Sequence, residues 1–377
     1  MGANSLGRKV AYLALQATRE GQASHAHVHE IIAGLRSRGW RVELYEPGYA
    51  SRKDEPGPIA RAIEFAKTQL RLFRSERPDL LYIRHHFAAW PSALWARLNR
   101  IPVVQEVNGP YEDLFVAWPW TAKLRELFVF LLRTQIRWAD LVIAVTPGLA
   151  HWASREGARW VEVVPNGANV TLFRPDAPLE VGIDLPDNYV VFFGALAPWQ
   201  GIDTMLSAVQ MSSWPREVAL VIVGDGAERP KVEEAVRIHH PRVVYLGKQP
   251  YRAMPGIIAR SLAVLSVKES GTTRLADMGT FPLKLFEAMA CGVPVVVSDL
   301  PGMAHLVRES GSGLIVPPGD PQALAEAVRR LFYEAEERRR MGIRGRELVE
   351  KAHSWDHRAA ETHRLLLRLL EGKAKGQ

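Results

Sequence analysis

Lys284 and Glu287 stand three residues apart in the segment LKLFEAMACGVPVVVSD, residues 283–299. Positions i and i+3 share one face of a helix, so this spacing presents a cation and a carboxylate side by side. The residues around them support a helix: Leu283, Leu285, Phe286, Ala288, Met289 and Ala290 all have good helix propensity. Gly292 suits the left-handed position that ends a helix, and Pro294 stops any continuation. The β-branched run from Val293 to Val297 suits a strand covered on both faces. Helices in such strand–helix arrangements commonly point their N-termini at phosphate. The chemistry suggested is capture of a phosphate-bearing ligand. The plainer alternative is a solvated lysine and a surface or capping carboxylate.

Other chemistry-bearing groups are sparse. Residues 221–226, VIVGDG, place Gly224 and Gly226 where the backbone can turn tightly beside a ligand, although a purely structural turn reads equally well. His25, His27 and His29 cluster after Gly21, and on a helix His25 and His29 would share a face. Zinc would need further ligands, and neither a third ligand nor an Asp-x-Asp motif is visible, so no metal is expected. Cys291 is the single cysteine and lies in an apolar stretch. It reads as a small core residue, and the lack of any intrachain disulfide points to a reducing, cytoplasmic compartment.

The elements that must position these groups alternate along the chain. Val10–Leu15, Arg41–Tyr45, Leu80–Ile83, Val103–Val107 and Leu141–Val145 read as short strands. Val28–Arg38, Ala93–Asn99 and Thr121–Trp138 read as helices between them. That rhythm implies a parallel sheet with helices on both faces. The Pro-, Asn- and Asp-rich stretch at residues 165–180 is the best linker candidate, after which the rhythm restarts. Two domains are also the prior for 377 residues. The first is expected over residues 1–175 together with a returning helix at 353–377, and the second over 176–352.

Net charge is +7, and all of it lies early: residues 1–175 hold 23 Lys+Arg against 16 Asp+Glu, and residues 176–377 hold 25 against 25. A basic first half suggests an anionic partner for that half. Residues 61–77 and 115–138 add aromatic and apolar side chains to this charge, which suits an anionic membrane surface. Packing of those aromatics into the core is the alternative, favoured for Phe128 and Trp138. No run reaches the 18 apolar residues of a membrane span. The apolar run Val10–Ala17 reads as a first buried strand and not a signal peptide.

Four segments together resemble retaining glycosyltransferases of family 4, which have the two-Rossmann GT-B fold. These are PNGANVTLF (165–173), VIVGDG (221–226), EAMACGVPVVVS (287–298) and GSGLIVPPGD (311–320). Their order and spacing hold over roughly residues 8 to 370, and EAMACGVPVVVS is the most specific. The EVN sequence at Glu106–Asn108 and the PLKLFE sequence at Pro282–Glu287 are similar to one subgroup of the family.

The resemblance implies two doubly wound domains facing a cleft, with the last helix crossing back to the N-terminal domain. It implies transfer of a sugar from a nucleotide-diphosphate sugar to an acceptor hydroxyl, with no metal and no other cofactor. Alternatives of the same fold are a phosphorylase, an epimerase or a non-catalytic nucleotide-sugar-binding protein. Glu287 aligns with the glutamate that holds ribose hydroxyls, and Lys284 is placed to neutralise the diphosphate. Gly194, Gln200, Gly224, Gly226, Arg274, Thr280, Phe281 and Leu283 fall on the donor side. Gly21, His25, Arg84 and Asn108 fall on the acceptor side, with Lys284, Glu287 and Asn108 the candidates for catalysis. The expected partners are a nucleotide sugar, a sugar or lipid-linked acceptor and an anionic membrane surface peripheral to the cytoplasm; no nucleic acid is expected.

The departures from the family pattern are specific. Its diphosphate-binding Arg and Lys become Ala195 and Gln200 in GALAPWQG, residues 194–201. Gly279 stands where an acidic residue is usual, and about ten extra residues, SGTTRLADMG, follow Glu269. Each lost charge-assisted contact is worth about 1.5–3 kcal/mol. Lys284, Arg274 and Arg252 are the substitutes that the sequence offers.

Overall fold

The computed structural model describes residues 7–19, 22–50, 56–269 and 278–374. Gly21, Arg274 and most of the SGTTRLADMG segment lie outside the described residues. By internal contacts the chain divides into two units, Met1–Pro165 with Arg358–Gln377, and Asn166–His357.

The first unit is built on six parallel strands: β1 (Lys9–Leu13), β2 (Arg41–Tyr45), β3 (Leu80–Arg84), β4 (Val103–Val107), β5 (Leu141–Ala144) and β6 (Val161–Val163), in the order β2-β1-β3-β4-β5-β6. Every residue of β1 and β4 is buried, as a parallel strand covered on both faces requires. The helix expected over Val28–Arg38 starts earlier, at Ala23, because ASHAH contains no breaker. The helix expected over Thr121–Trp138 is continuous only from Arg125. Before it come a helix at Glu112–Ala117 and a 3₁₀ turn at Pro119–Leu124. Pro119 removes an amide donor and pushes Trp118 out of the helical region, to φ −135° and ψ 79°.

The last helix, Trp355–Ala374, completes the first unit. Ala359, Thr362, Leu366 and Leu369 are buried. Trp40 Nε1 donates to His363 Nδ1 at 2.9 Å. A Cβ at Gly34 would stand 2.2 Å from the Ala359 Cβ, so only glycine lets the two helices approach this closely.

The second unit holds β7 (Tyr189–Ala195), β8 (Ala219–Asp225), β9 (Val243–Tyr245), β10 (Ala263–Ser266), β11 (Val295–Ser298) and β12 (Gly313–Val316), all parallel, in the order β12-β11-β10-β7-β8-β9. Alternate residues of β7 feed two separate cores: Val191 and Phe193 one side, Val190 and Phe192 the other. The helix predicted around Lys284 and Glu287 is Leu283–Ala290, and Gly292 follows it at φ +68°. The strand after it begins at Val295 and not Val293, since Pro294 has no amide to pair. Strand order reverses between β1 and β3 in the first sheet and between β7 and β10 in the second. The carboxyl ends of strands at such points are where parallel sheets take ligands.

Gly34→Ala is expected to destabilise the protein by about 1–3 kcal/mol through overpacking against Ala359, despite the roughly 1 kcal/mol gain in helix propensity. A urea midpoint equal to or above that of the parent would contradict this reading of the helix contact.

Candidate active site

The β7/β10 reversal of the second unit gathers three polar side chains. After β7 the chain makes a 3₁₀ turn, Pro198–Gln200, closed by Gly201 in the left-handed region. After β10, Lys268 is fixed by its backbone: its amide donates to Ser298 Oγ at 2.8 Å and its carbonyl accepts from Gly319 N at 3.0 Å. Lys284 enters from the first turn of its helix. Both lysines donate to one oxygen, Gln200 Oε1, at 2.8 Å from Lys268 and 3.4 Å from Lys284. The Lys284 ammonium also lies 3.9 Å over the Phe192 ring. Their exposures are 5% and 8%, and neither has a carboxylate partner among the described residues. Burial pushes Lys268 down to about 8. Burial and the neighbouring Lys268 push Lys284 well below the ordinary ammonium range, with Glu287 opposing. Two amino groups held out of water, sharing one neutral oxygen and each with its charged form disfavoured, make a site that an anion would satisfy.

Glu287 lies on the same helix and is buried. Burial pushes its carboxyl up to about 7, against a hydrogen bond from Tyr251 Oη at 3.0 Å and the charge of Lys284. The glycines have distinct reasons. A Cβ at Gly224 would meet the Gly194 carbonyl at 1.9 Å and one at Gly226 the Leu196 carbonyl at 2.5 Å, so both permit close backbone approach. A Cβ at Gly194 would make only an ordinary contact with Lys284 Nζ at 3.4 Å, and the glycine is required there by its φ of +132°. Thr280 bridges to Gly302, the Phe281 carbonyl accepts from Asn166 Nδ2 at 2.8 Å, and Leu283 is buried. Arg252 does not join the cluster: it is exposed and paired with Glu180 at 3.2 Å. Glu269 binds Thr204 in the helix Ile202–Val209.

Lys268 escaped the sequence reading because a lysine just past a strand end usually belongs to solvent. Its one signal is its place directly after the buried run Ala263–Val267.

In the first unit, Arg84 and Asn108 are brought together by Glu106. Its Oε1 accepts from Arg84 and from Asn108 Nδ2, each at 2.8 Å. Its Oε2 accepts from Tyr12 at 3.0 Å and Tyr82 at 2.9 Å, and lies 3.0 Å from His27 Nε2. Burial alone would raise this carboxyl, but His27, Arg84 and Asn108 hold it well below the usual carboxylate range. His27 is thereby committed to Glu106. His25 packs against His29 with ring centroids 4.0 Å apart and planes tilted by 36°, and it faces the Thr18 carbonyl at 3.4 Å. Among the described residues no group of three or more His, Cys, Asp or Glu is arranged to hold a metal. Arg84 and Asn108 line a pocket of about 550 Å³ within this unit.

The family model for glycosyl transferases group 1 matches residues 174–348, and that for glycosyltransferase family 4 matches residues 24–172. Phosphatidyl-myo-inositol mannosyltransferase of Mycobacterium leprae is 32% identical, the match covering 90% of this chain and 91% of the relative. The chain is a family 4-type glycosyltransferase. Alpha-maltose-1-phosphate synthase of Mycolicibacterium smegmatis is 28% identical over 89% of this chain and 92% of its own. Among solved structures, the glycosyltransferase shares its fold with sucrose-phosphate synthase from Thermosynechococcus elongatus, at TM-score 0.77, 20% identity and coverage of 97% and 100%. It also shares it with Anabaena HepE in complex with UDP-glucose, at TM-score 0.67, 19% identity and coverage of 94% and 98%. The two Rossmann-like units are those of a GT-B enzyme.

Glu106→Gln leaves Arg84 without its charge partner and is expected to cost about 3–5 kcal/mol at pH 7. The native carboxyl is depressed, so its contribution is complete above the unfolded carboxylate value of about 4.3 and is lost as pH falls through the folded value. Denaturation at pH 7 and at pH 3 should therefore show a smaller acid loss in the variant than in the parent. An equal loss would mean that Glu106 is not the acid-sensitive group.

Proposed function

We propose that this glycosyltransferase moves a sugar from a nucleotide-diphosphate sugar to an acceptor hydroxyl with retention of anomeric configuration and without a metal. The observation that carries the reading is the buried, uncompensated pair Lys268 and Lys284 at the reversal of the second sheet. A diphosphate supplies the missing negative charge, aided by the N-terminus of helix Leu283–Ala290. Lys268 with Lys284 then does the work of the Arg and Lys replaced by Ala195 and Gln200. Glu287, steadied by Tyr251, accepts from ribose hydroxyls. Gly194, Gly224, Gly226, Thr280, Phe281 and Leu283 shape the donor side, and Gln200 holds the two ammonium groups until the diphosphate arrives. The UDP and UDP-glucose seen with Anabaena HepE support a nucleotide sugar as donor.

In the proposed reaction the bond from the anomeric carbon to the diphosphate breaks as the acceptor oxygen bonds to the same face. The acceptor proton passes to the departing phosphate oxygen, and the lysines stabilise the charge that grows there. Arg84 and Asn108, held by Glu106, orient the acceptor in the first unit.

Lys284→Met should make the ligand-free protein more heat-stable, because a buried amino group whose ionisation the fold opposes is removed. The same change should abolish most of the rise in melting temperature on adding UDP. Glu287→Gln should weaken UDP by roughly 1–3 kcal/mol in calorimetry. A folded Lys284→Met protein that still binds UDP like the parent would refute the diphosphate assignment, as would absence of UDP release from UDP-sugars in the presence of acceptors.

A second, separate reading concerns a lipid surface, and one observation favours it. Val116, Trp120, Leu124, Leu127 and Phe130, on the consecutive segments Glu112–Ala117, Pro119–Leu124 and Arg125–Trp138, are each at least half exposed. Lys123 and Arg125 lie among them, and Arg61 stacks over Trp118 at 4.3 Å. Phe128 is buried and Trp138 packs against the core, so those two are structural. No helix among the described residues is long and apolar enough to cross a membrane. We infer peripheral contact with an anionic membrane, consistent with a lipid-linked acceptor. The protein should co-sediment with anionic vesicles at low salt and be released as salt rises. Equal recovery with neutral vesicles would remove this contact.

A further inference from the structure

A guanidinium stays charged at every pH that a folded protein meets, whereas an amino group drawn out of water can give up its proton. The reversal of the second sheet holds two lysines, and their surroundings decide which form they take. Lys268 Nζ and Lys284 Nζ share Gln200 Oε1, at 2.8 and 3.4 Å. Two full charges gathered on one acceptor repel each other. Gln200 is neutral, and its oxygen accepts from an amine as well as from an ammonium. The cluster therefore keeps its hydrogen bonds in either protonation state. A carboxylate in the place of Gln200 would hold both lysines charged.

The remaining neighbours add little opposing charge. From β7 comes Phe192, whose ring lies 3.9 Å from Lys284 Nζ. From β11 and the turn after β12 come Ser298 and Gly319, which bind the Lys268 backbone. Glu269 adjoins Lys268 in the chain, but both of its oxygens accept from Thr204 Oγ1 at 3.1 Å. On the helix Leu283–Ala290 the carboxylate is Glu287, which favours the charged form of Lys284 and accepts from Tyr251. Burial outweighs it. Lys268 is pushed down to about 8, and Lys284 falls well below the ordinary ammonium range.

We propose that donor binding is coupled to proton uptake: Lys268 and Lys284 carry less than their full charge in the ligand-free protein and take protons from solvent when a diphosphate binds beside them. The inference rests on the reading of this cluster as the diphosphate site. A bound diphosphate raises what burial has lowered. Affinity is therefore complete below the ligand-free values and falls as pH rises through them. Glu287 acts in the opposite sense. Burial raises its carboxyl to about 7, and donation from ribose hydroxyls favours the ionised form, so binding releases a proton near neutral pH. At more alkaline pH Glu287 is already ionised, and the lysines alone remain to titrate. The site thus takes its donor more tightly as pH falls towards neutral, a dependence that an arginine would not confer.

The test is calorimetry of UDP binding to the full chain at pH 8.5, in two buffers with different heats of ionisation. UDP is itself fully ionised there. Uptake of about one proton per UDP or more is expected, with a Kd that rises about tenfold per pH unit above pH 8. Lys268→Arg carries a charge that does not titrate, and it should lower the uptake by about half a proton or more. The unmodified protein gives a second reading through ¹³C spectra of labelled lysine side chains. Two Cε resonances should titrate below about pH 9, under the ordinary lysine value of about 10.4, and return to the charged position when UDP is added. UDP binding with no dependence on buffer, every lysine charged at pH 9 in the ligand-free protein, or undiminished uptake in folded Lys268→Arg protein would overturn the coupling and leave the donor site standing. Absence of UDP binding at any pH would overturn the donor reading, and the coupling with it.

Discussion

Two buried lysines without a counter-charge are the constraint around which the second unit is arranged. Lys268 and Lys284 reach their positions only because several unrelated features agree. Ser298 and Gly319 clamp the backbone of Lys268, and Gln200 offers one oxygen to both amino groups. The Phe192 face adds a weak attraction for Lys284. None of these supplies a negative charge. The contrast is Glu106, equally sunk in a parallel sheet yet met by five partners of its own unit. A carboxylate that the protein satisfies itself fixes the groups around it; the buried amino groups that it leaves unmatched are where we propose that the donor binds.

Topology decides where both clusters lie. In each sheet all strands are parallel, so their carboxyl ends share one edge, and the reversal of strand order opens a crevice there. Glu106 lies near the end of β4 with Arg84 at the end of β3 beside it. Lys268 follows β10, and the turn bearing Gln200 follows β7, its neighbour in the sheet. The alternation of side chains along β4 separates two polar networks, one around Glu106 and the other around Gln105. The first holds Arg84 and Asn108, and the second links Gln105 to His85 at 3.1 Å and to Gln135 at 3.4 Å.

Much of this was legible in the sequence, for local reasons. The spacing of Lys284 and Glu287 on good helix formers, with Gly292 beyond, marks the helix and its end. β-branched runs mark most strands to within two residues. The loss of cations in GALAPWQG was also visible, but not its remedy, because Lys268 and Gln200 are 68 residues apart and only the β7–β10 pairing brings them together. Arg252 offered an equal charge in sequence, and its partner Glu180 becomes apparent only in three dimensions. The break at Trp118 was there to be read in Pro119.

The two units also differ in how the chain supplies them. Asn166–His357 is one uninterrupted stretch, whereas the first unit needs Arg358–Gln377 to cover Gly34 and Trp40. A ribosome delivers residues in order. The sheet that is made first therefore waits for the last helix, with part of its apolar surface bare, while the unit made second has everything it needs. Maturation runs counter to the order of synthesis, and a chain that lacks the helix from Arg358 onward leaves its earlier-made unit uncovered at Gly34 and Trp40.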